Sequence, residues 1–281
     1  MQKILIPTDF SEEAENAIQT AIPIAKAFKA TLVLLHVLEV ASRDSFSATA
    51  DTTLSDALFI HEGLKLAQQN LNRSLAVHGL DTTDEIAVER YIRIGSVNRQ
   101  IIEFVENEKF DFLVMGTKGA WGMNDILLGT DTDKIIRKVS CPVLAVNQVV
   151  PAEAFKKIVF PTTTENKETN LIGVIKEFQQ VFKAKIYLVR INTPQNFLPD
   201  NLALARLEDY AAEHRLINYE THVYSHTEEE EGIREFAAKV EGGIVAMSTS
   251  AHTGFRKLLE GSVTKEMVSH SKRPVLTMRM D

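Results

Sequence analysis

Residues Met115–Asp131, MGTKGAWGMNDILLGTD, hold four of the chain's 13 glycines. Gly116 and Gly119 stand three apart, and after nine more residues Gly129 and Thr130 open a stretch of helical character. That spacing has a mechanism. Glycines let a chain fold closely over a phosphate because no Cβ intervenes. The first N–H groups of the following helix are unpaired donors at the positive end of its dipole. Lys118 can add a point charge. The segment is neither a Walker A loop, since no Gly-Lys-Ser/Thr ends it, nor a dinucleotide fingerprint. On glycine spacing alone, a strand-to-helix connection that needs glycine only to turn is the simpler reading.

Other candidate chemistry is thin. His61, in HEGLK, lacks the second histidine of a zinc helix. His36 ends an apolar strand and reads as a packed or hydrogen-bonded residue. Cys141 precedes Pro142 without a CxxC partner and reads as a small buried hydrophobe. Glu228–Glu231 reads as the solvated first turn of a helix, where negative charge is favourable. Trp121 lies in the glycine loop and reads as a packing residue. No Ser/His/Asp order or nucleophile elbow is visible. Asp9 beside a phosphate could hold Mg²⁺, which leans largely on the phosphates themselves. Efficient catalysis therefore has no candidate residues, and slow hydrolysis of a bound phosphate compound is the expected ceiling.

The elements that position these residues are written twice. KILIPT at Lys3–Thr8 returns as KIVFPT at Lys157–Thr162, and CPVLAV at Cys141–Val146 returns as RPVLTM at Arg273–Met278. The offset falls from 154 residues to 132, so the first copy carries about 22 extra residues. They fit the polar stretch ASRDSFSATADTTLSDA, which reads as a loop leading into a helix within Asp56–His78. We expect domains at 1–147 and 156–281, joined by a linker at 148–155.

Each copy alternates short apolar runs with helical periodicity, which argues for an open parallel sheet covered on both faces. In the first copy Ser11 is the expected N-cap of the first helix, and Pro23 is expected to kink it. Further helices are expected at Val97–Asn107 and Thr132–Val139. In such sheets ligands sit beyond the carboxyl ends of the strands, where strand order switches. That points to Pro7–Asp9 and Met115–Gly119.

Composition bounds the function classes. With 44% hydrophobic and 25% charged residues, the chain is of the soluble globular type. A net charge of −7 gives no global footprint for nucleic acid or anionic membrane. One cysteine in 281 residues and no apolar run near 20 residues indicate a cytoplasmic protein.

Both copies resemble universal stress protein domains, through ILIPTDFSEEAENAI, LLHV, the G-x-x-G-(nine)-G-T loop and CPVL. The resemblance implies two tandem doubly wound α/β domains of five parallel strands, of the adenine nucleotide alpha hydrolase-like type. It implies a stress-response regulator that binds ATP or AMP in its first half. In nucleotide-binding members, the positions of Pro7, Thr8 and Asp9 border the nucleoside, and those of Val37 and Met115 line the base. Gly116, Gly119, Gly129 and Thr130 match positions that hold ribose and phosphates. Asp131 departs from the pattern: a carboxylate where the family is usually uncharged either repels phosphate or serves the helix start.

The second copy reads Ser248-x-x-Ala251, nine residues, Gly261-Ser262, with Thr163 for Asp9 and Ile191 for Val37, so its site is degenerate. The resemblance also implies that the two last strands, Val143–Val146 and Val275–Met278, pair in an intramolecular pseudo-dimer. A homodimer of whole chains and an unidentified protein partner stay open. The alternative function is a nucleotide-independent stress scaffold or adaptor.

Overall fold

In the computed structural model of the chain, ten short segments of the described residues form the strands of one sheet. The structure describes residues 1–39, 50–117, 130–165, 168–249, 267 and 273–279, with 50–56, 130–133 and 249 as backbone alone. The first half runs β1 (Lys3–Pro7), α1 (Glu12–Phe28), β2 (Thr31–Leu38), α2 (Ala50–Val77), β3 (Val88–Ile94), α3 (Val97–Glu108), β4 (Phe112–Gly116), α4 (Thr130–Lys138) and β5 (Val143–Val146). A short 3-10 turn at Ala152–Lys156 follows. The second half runs β6 (Lys157–Pro161), α5 (Thr169–Phe182), β7 (Lys185–Asn192), α6 (Asp200–Glu213), β8 (Tyr219–Ser225), α7 (Glu229–Lys239), β9 (Ile244–Thr249) and β10 (Val275–Arg279).

The strand order is β3-β2-β1-β4-β5-β10-β9-β6-β7-β8. Neighbours within each half are parallel. At the centre β5 and β10 run antiparallel, with Leu276 opposite Leu144 and Val275 opposite Ala145. The expected pairing of the last strands is therefore present. It merges two five-stranded parallel sheets into one.

The period-two alternation of strands sorts side chains into two cores. Ile4 and Ile6 face α1, α2, α5 and α6, while Leu5 faces α3, α4 and α7. On the first face an aromatic seam joins the halves: Phe178 of α5 lies 5.5 Å from Phe28 of α1 and 5.7 Å from Phe112 of β4. Burying each such ring is worth about 1.5–3 kcal/mol, so the junction is core and not a loose contact.

Several boundaries differ from expectation. The polar stretch before Asp56 is helical from Ala50 onward, because it contains no Gly or Pro to stop a helix propagating backward. Residues 41–49 of that stretch lie outside the described residues. Helix α1 continues through Pro23; the proline deprives the Gln19 carbonyl of its helical partner without ending the helix. Helix α4 begins at Thr130, two residues early. The expected linker is packed: Val150 is buried and its N–H donates to Thr20 Oγ1 at 3.0 Å, while Phe155 is fully buried. Apolar residues so close to an open core face enter it. Among the described residues no helix is long and apolar enough to cross a membrane.

Candidate functional site

Strand order switches between β1 and β4: the chain builds outward through β2 and β3, then returns to the other side of β1. Toward the carboxyl ends of β1, β2 and β4, the β1–β4 pairing stops at Leu5 and Leu113 while β1 and β2 stay paired through Pro7, and a switch point of this kind is where ligands sit in open α/β sheets. Pro7, Thr8, Asp9, Val37, Met115 and Gly116 stand at those ends. Thr8 is buried, with its N–H donating to the Leu35 carbonyl at 2.8 Å. Asp9 is exposed. Its Oδ1 accepts from the Ser11 N–H at 3.0 Å and from Ser11 Oγ at 2.5 Å. Ser11 is the N-cap, its Oγ accepting from the Ala14 N–H at 3.3 Å. Val37 and Met115 line the same side, in the core that faces α3 and α4.

Gly116 has a reason of its own. A Cβ there would run into the backbone carbonyl of Glu13 and lie 2.8 Å from the Ala14 nitrogen. The end of β4 presses against the first turn of α1 closely enough that only glycine fits. This demand exists without any ligand. Gly119 and Gly129, with Lys118 and Trp121, lie outside the described residues. Thr130 and Asp131 are the first two residues of α4, so Asp131 stands inside the helix start and not at the position before it.

The second half solves the same corner differently. Lys29 and Lys183 both end their helices in the left-handed conformation, at φ 54° and 56°. Counting back from these caps puts Glu168 where Ala14 stands. Helix α5 has 14 residues against 17 in α1, beginning at Thr169 with Glu168 as its N-cap residue; residues 166 and 167 lie outside the described residues. The Glu168 carboxylate is buried at this corner, accepting from Ser248 Oγ at 2.6 Å, Thr162 Oγ1 at 2.9 Å and the Tyr210 hydroxyl at 2.9 Å. Ser248 occupies the place of Gly116, as the strand registers show. Burial pushes the Glu168 carboxyl above its ordinary 4.5, against the pull of the three hydroxyls. Burial likewise pushes Tyr210 up, reinforced by the Glu168 charge.

Arg190 of β7 is also buried, donating from Nη1 to the Thr163 carbonyl at 3.0 Å and from Nη2 to the Asn196 carbonyl at 2.9 Å. The Glu228–Glu231 run is less solvated than expected: Glu229, Glu230 and Glu231 are all half-buried. Glu229 is partly buried, and burial pushes it up to about 7 although the nearby Arg190 charge pulls it down.

The remaining candidates are structural. Cys141 is buried and its thiol is pushed up to about 12 by desolvation, which leaves it inert. His36 is half-buried, with Nδ1 2.8 Å from the Thr8 carbonyl. Besides the Glu168 cluster, sequence reading missed another: Glu15 accepts from Ser74 Oγ at 2.8 Å and contacts His78 Nε2 at 2.7 Å. It contains serine, histidine and carboxylate, but the carboxylate is the central member, so no imidazole is in place to activate Ser74. Among the described residues no group of three or more His, Cys, Asp or Glu could hold a metal.

Comparison with known proteins agrees with this architecture. The family model described as "Universal stress protein family" matches residues 1–147 and again 154–279. A universal stress protein of Methanocaldococcus jannaschii is 34% identical over 164 residues, covering 52% of this chain and 95% of its own. Another from the same archaeon is 33% identical over 147 residues, covering 52% and 82%. A solved universal stress protein of Archaeoglobus fulgidus aligns with a TM-score of 0.72 at 17% identity, covering 99% of this chain and 98% of its own; at that identity it speaks for the fold. With two matches that between them span nearly its whole length, the chain belongs to the universal stress protein family.

Proposed function

We propose that the first half binds one adenine nucleotide, ATP or AMP, and that the chain serves as a stress-response regulator whose partner contacts depend on that occupancy. The observation that carries this reading is the contrast between the two switch points. In the first half an exposed Asp9 stands beside the apolar Val37 and Met115. In the second half Glu168 and Arg190 spend their polar groups on the protein itself. Pro7, Thr8 and Asp9 border the nucleoside in this reading, Val37 and Met115 take the base, and Gly116, Gly119, Gly129, Thr130 and Asp131 surround ribose and phosphates. The N–H groups at the start of α4 supply the phosphate donors. Mg²⁺ would enter with the phosphates, with Asp9 as a carboxylate that could hold it.

A nucleotide-independent scaffold is the second reading. Gly116 favours it, since packing against Glu13 explains that glycine without a ligand. One experiment separates them. Mass spectrometry of small molecules released from chain purified without added nucleotide, followed by calorimetry, should find an adenine nucleotide and one site per chain. Asp9→Ala should weaken binding at least tenfold, about 1.4 kcal/mol, while Thr163→Ala changes nothing. Absence of binding, or two equivalent sites, rejects the proposal.

A further inference from the structure

Phe10 has φ 65°, a backbone conformation that residues with a Cβ rarely adopt. Such strain persists where the surroundings over-determine it. Two contacts do so here. The Phe10 N–H donates to Thr8 Oγ1 at 3.0 Å, and the Phe10 ring stacks on His36 with centroids 4.5 Å apart at 29°. His36 also reaches Thr8 itself, its Nδ1 lying 2.8 Å from the Thr8 carbonyl. A carbonyl can only accept, so Nδ1 carries the proton. One imidazole thus grips both neighbours of Asp9, Thr8 through a hydrogen bond and Phe10 through its ring.

His36 does not share a side with the apolar lining. Along β2 successive side chains alternate faces: Val37 joins the core under α3 and α4, which puts His36 on the side of α1 and α2, where Phe10 packs. Any effect of His36 on a ligand beside Val37 must pass through the Thr8–Phe10 turn. The second half keeps that turn, with Thr164 at φ 66° and its N–H donating to Thr162 Oγ1 at 3.0 Å. There the strand residue is Arg190, and it grips the Thr163 carbonyl, one residue later, in the place of Asp9. Both halves need the turn. Only the first holds it from either side of Asp9.

We infer that His36 is a positioning residue for the nucleotide, holding the Thr8–Phe10 turn so that Asp9 is presented to the ligand. This rests on the nucleotide reading above. The test is calorimetry of ATP and AMP with the full chain and its His36→Asn, His36→Gln and His36→Ala variants. Each variant is checked for melting temperature and for amide exchange at Phe10 and Ser11. An asparagine amide can present an N–H close to the Nδ1 position, whereas glutamine reaches toward that of Nε2. We expect Asn to retain affinity within about threefold, and Gln and Ala to lose at least tenfold, at similar melting temperatures. Equal losses in Asn and Gln, or losses that simply follow melting temperature, overturn the inference. If the unaltered chain binds neither nucleotide, the nucleotide reading fails and takes the positioning role with it. Faster exchange at Phe10 in Gln but not in Asn would then identify the clamp as purely structural.

Discussion

The two switch points occupy the same place in two copies of one fold, yet they close in opposite ways. In the first half, backbone meets backbone: the opening turn of α1 lies against β4, and Gly116 permits the contact. In the second, a buried carboxylate at the start of α5 joins the ends of β6 and β9 to α6 through three hydroxyls. Ala14, Ser74 and Gly116 on one side answer Glu168, Tyr210 and Ser248 on the other. Ser248, in the place of Gly116, donates to Glu168 in the place of Ala14, so these differences belong together. The lesson is that a lost glycine does not simply leave a damaged site. The vacated volume and the orphaned polar groups have to be filled and satisfied, and the second half does this with its own residues.

Separating the halves is the harshest way to break the comparison. Residues 1–150 expressed alone uncover the edge of β5, whose four residues are all buried in the whole chain, and the seam around Phe28 and Phe112. We expect a homodimer or aggregation, read by light scattering; a stable monomer would contradict the shared core. Next in size is a matched pair of alanines. Gly116→Ala forces a Cβ into the Glu13 backbone and should cost at least about 3 kcal/mol, the upper range of overpacking. Ser248→Ala merely removes one donor from Glu168 and should cost about 1–3 kcal/mol. Equal losses in denaturant titrations would mean the two corners are not built as described.

Glu168 gives a pH signature to the second half alone. Its folded carboxyl binds a proton more tightly than the ordinary 4.5 of an unfolded chain. Stability tied to that proton is fully present below 4.5 and is lost as pH rises through the folded titration. Glu168→Gln removes the loss, so its melting temperature relative to the parent chain should rise from pH 4 to pH 8. A flat difference would show that the carboxylate is comfortable where it stands.

The smallest effect belongs to Asp131. As the second residue of α4 it meets a favourable helix dipole, worth about 0.3–1 kcal/mol. Asp131→Asn should lower stability by no more than that and leave ATP affinity nearly unchanged. A tenfold gain for ATP and none for AMP would indicate a carboxylate turned toward the phosphates.

Much of the architecture was legible in the residues. The repeated KILIPT and CPVLAV segments announced two copies, and continuous apolar runs such as Leu32–Leu35 announced strands buried on both faces. Ser11, followed by acidic residues, marked where α1 begins. Other features were hidden because their cause lies far along the chain. Helix α2 reaches back to Ala50 through residues that locally resemble a loop. Val150 and Phe155 resembled a linker until a core face stood beside them.

By itself, then, the sequence determined the repeat, the strand and helix order, and which half departs from the glycine pattern, since each is a matter of local periodicity or of comparing one copy with the other. Tertiary structure alone decided that Gly116 answers to Glu13, that His36 grips both neighbours of Asp9, and that Glu168 gathers the hydroxyls of Tyr210 and Ser248. Those are contacts between residues dozens of positions apart, and no spacing rule along one chain specifies where two such segments meet in space.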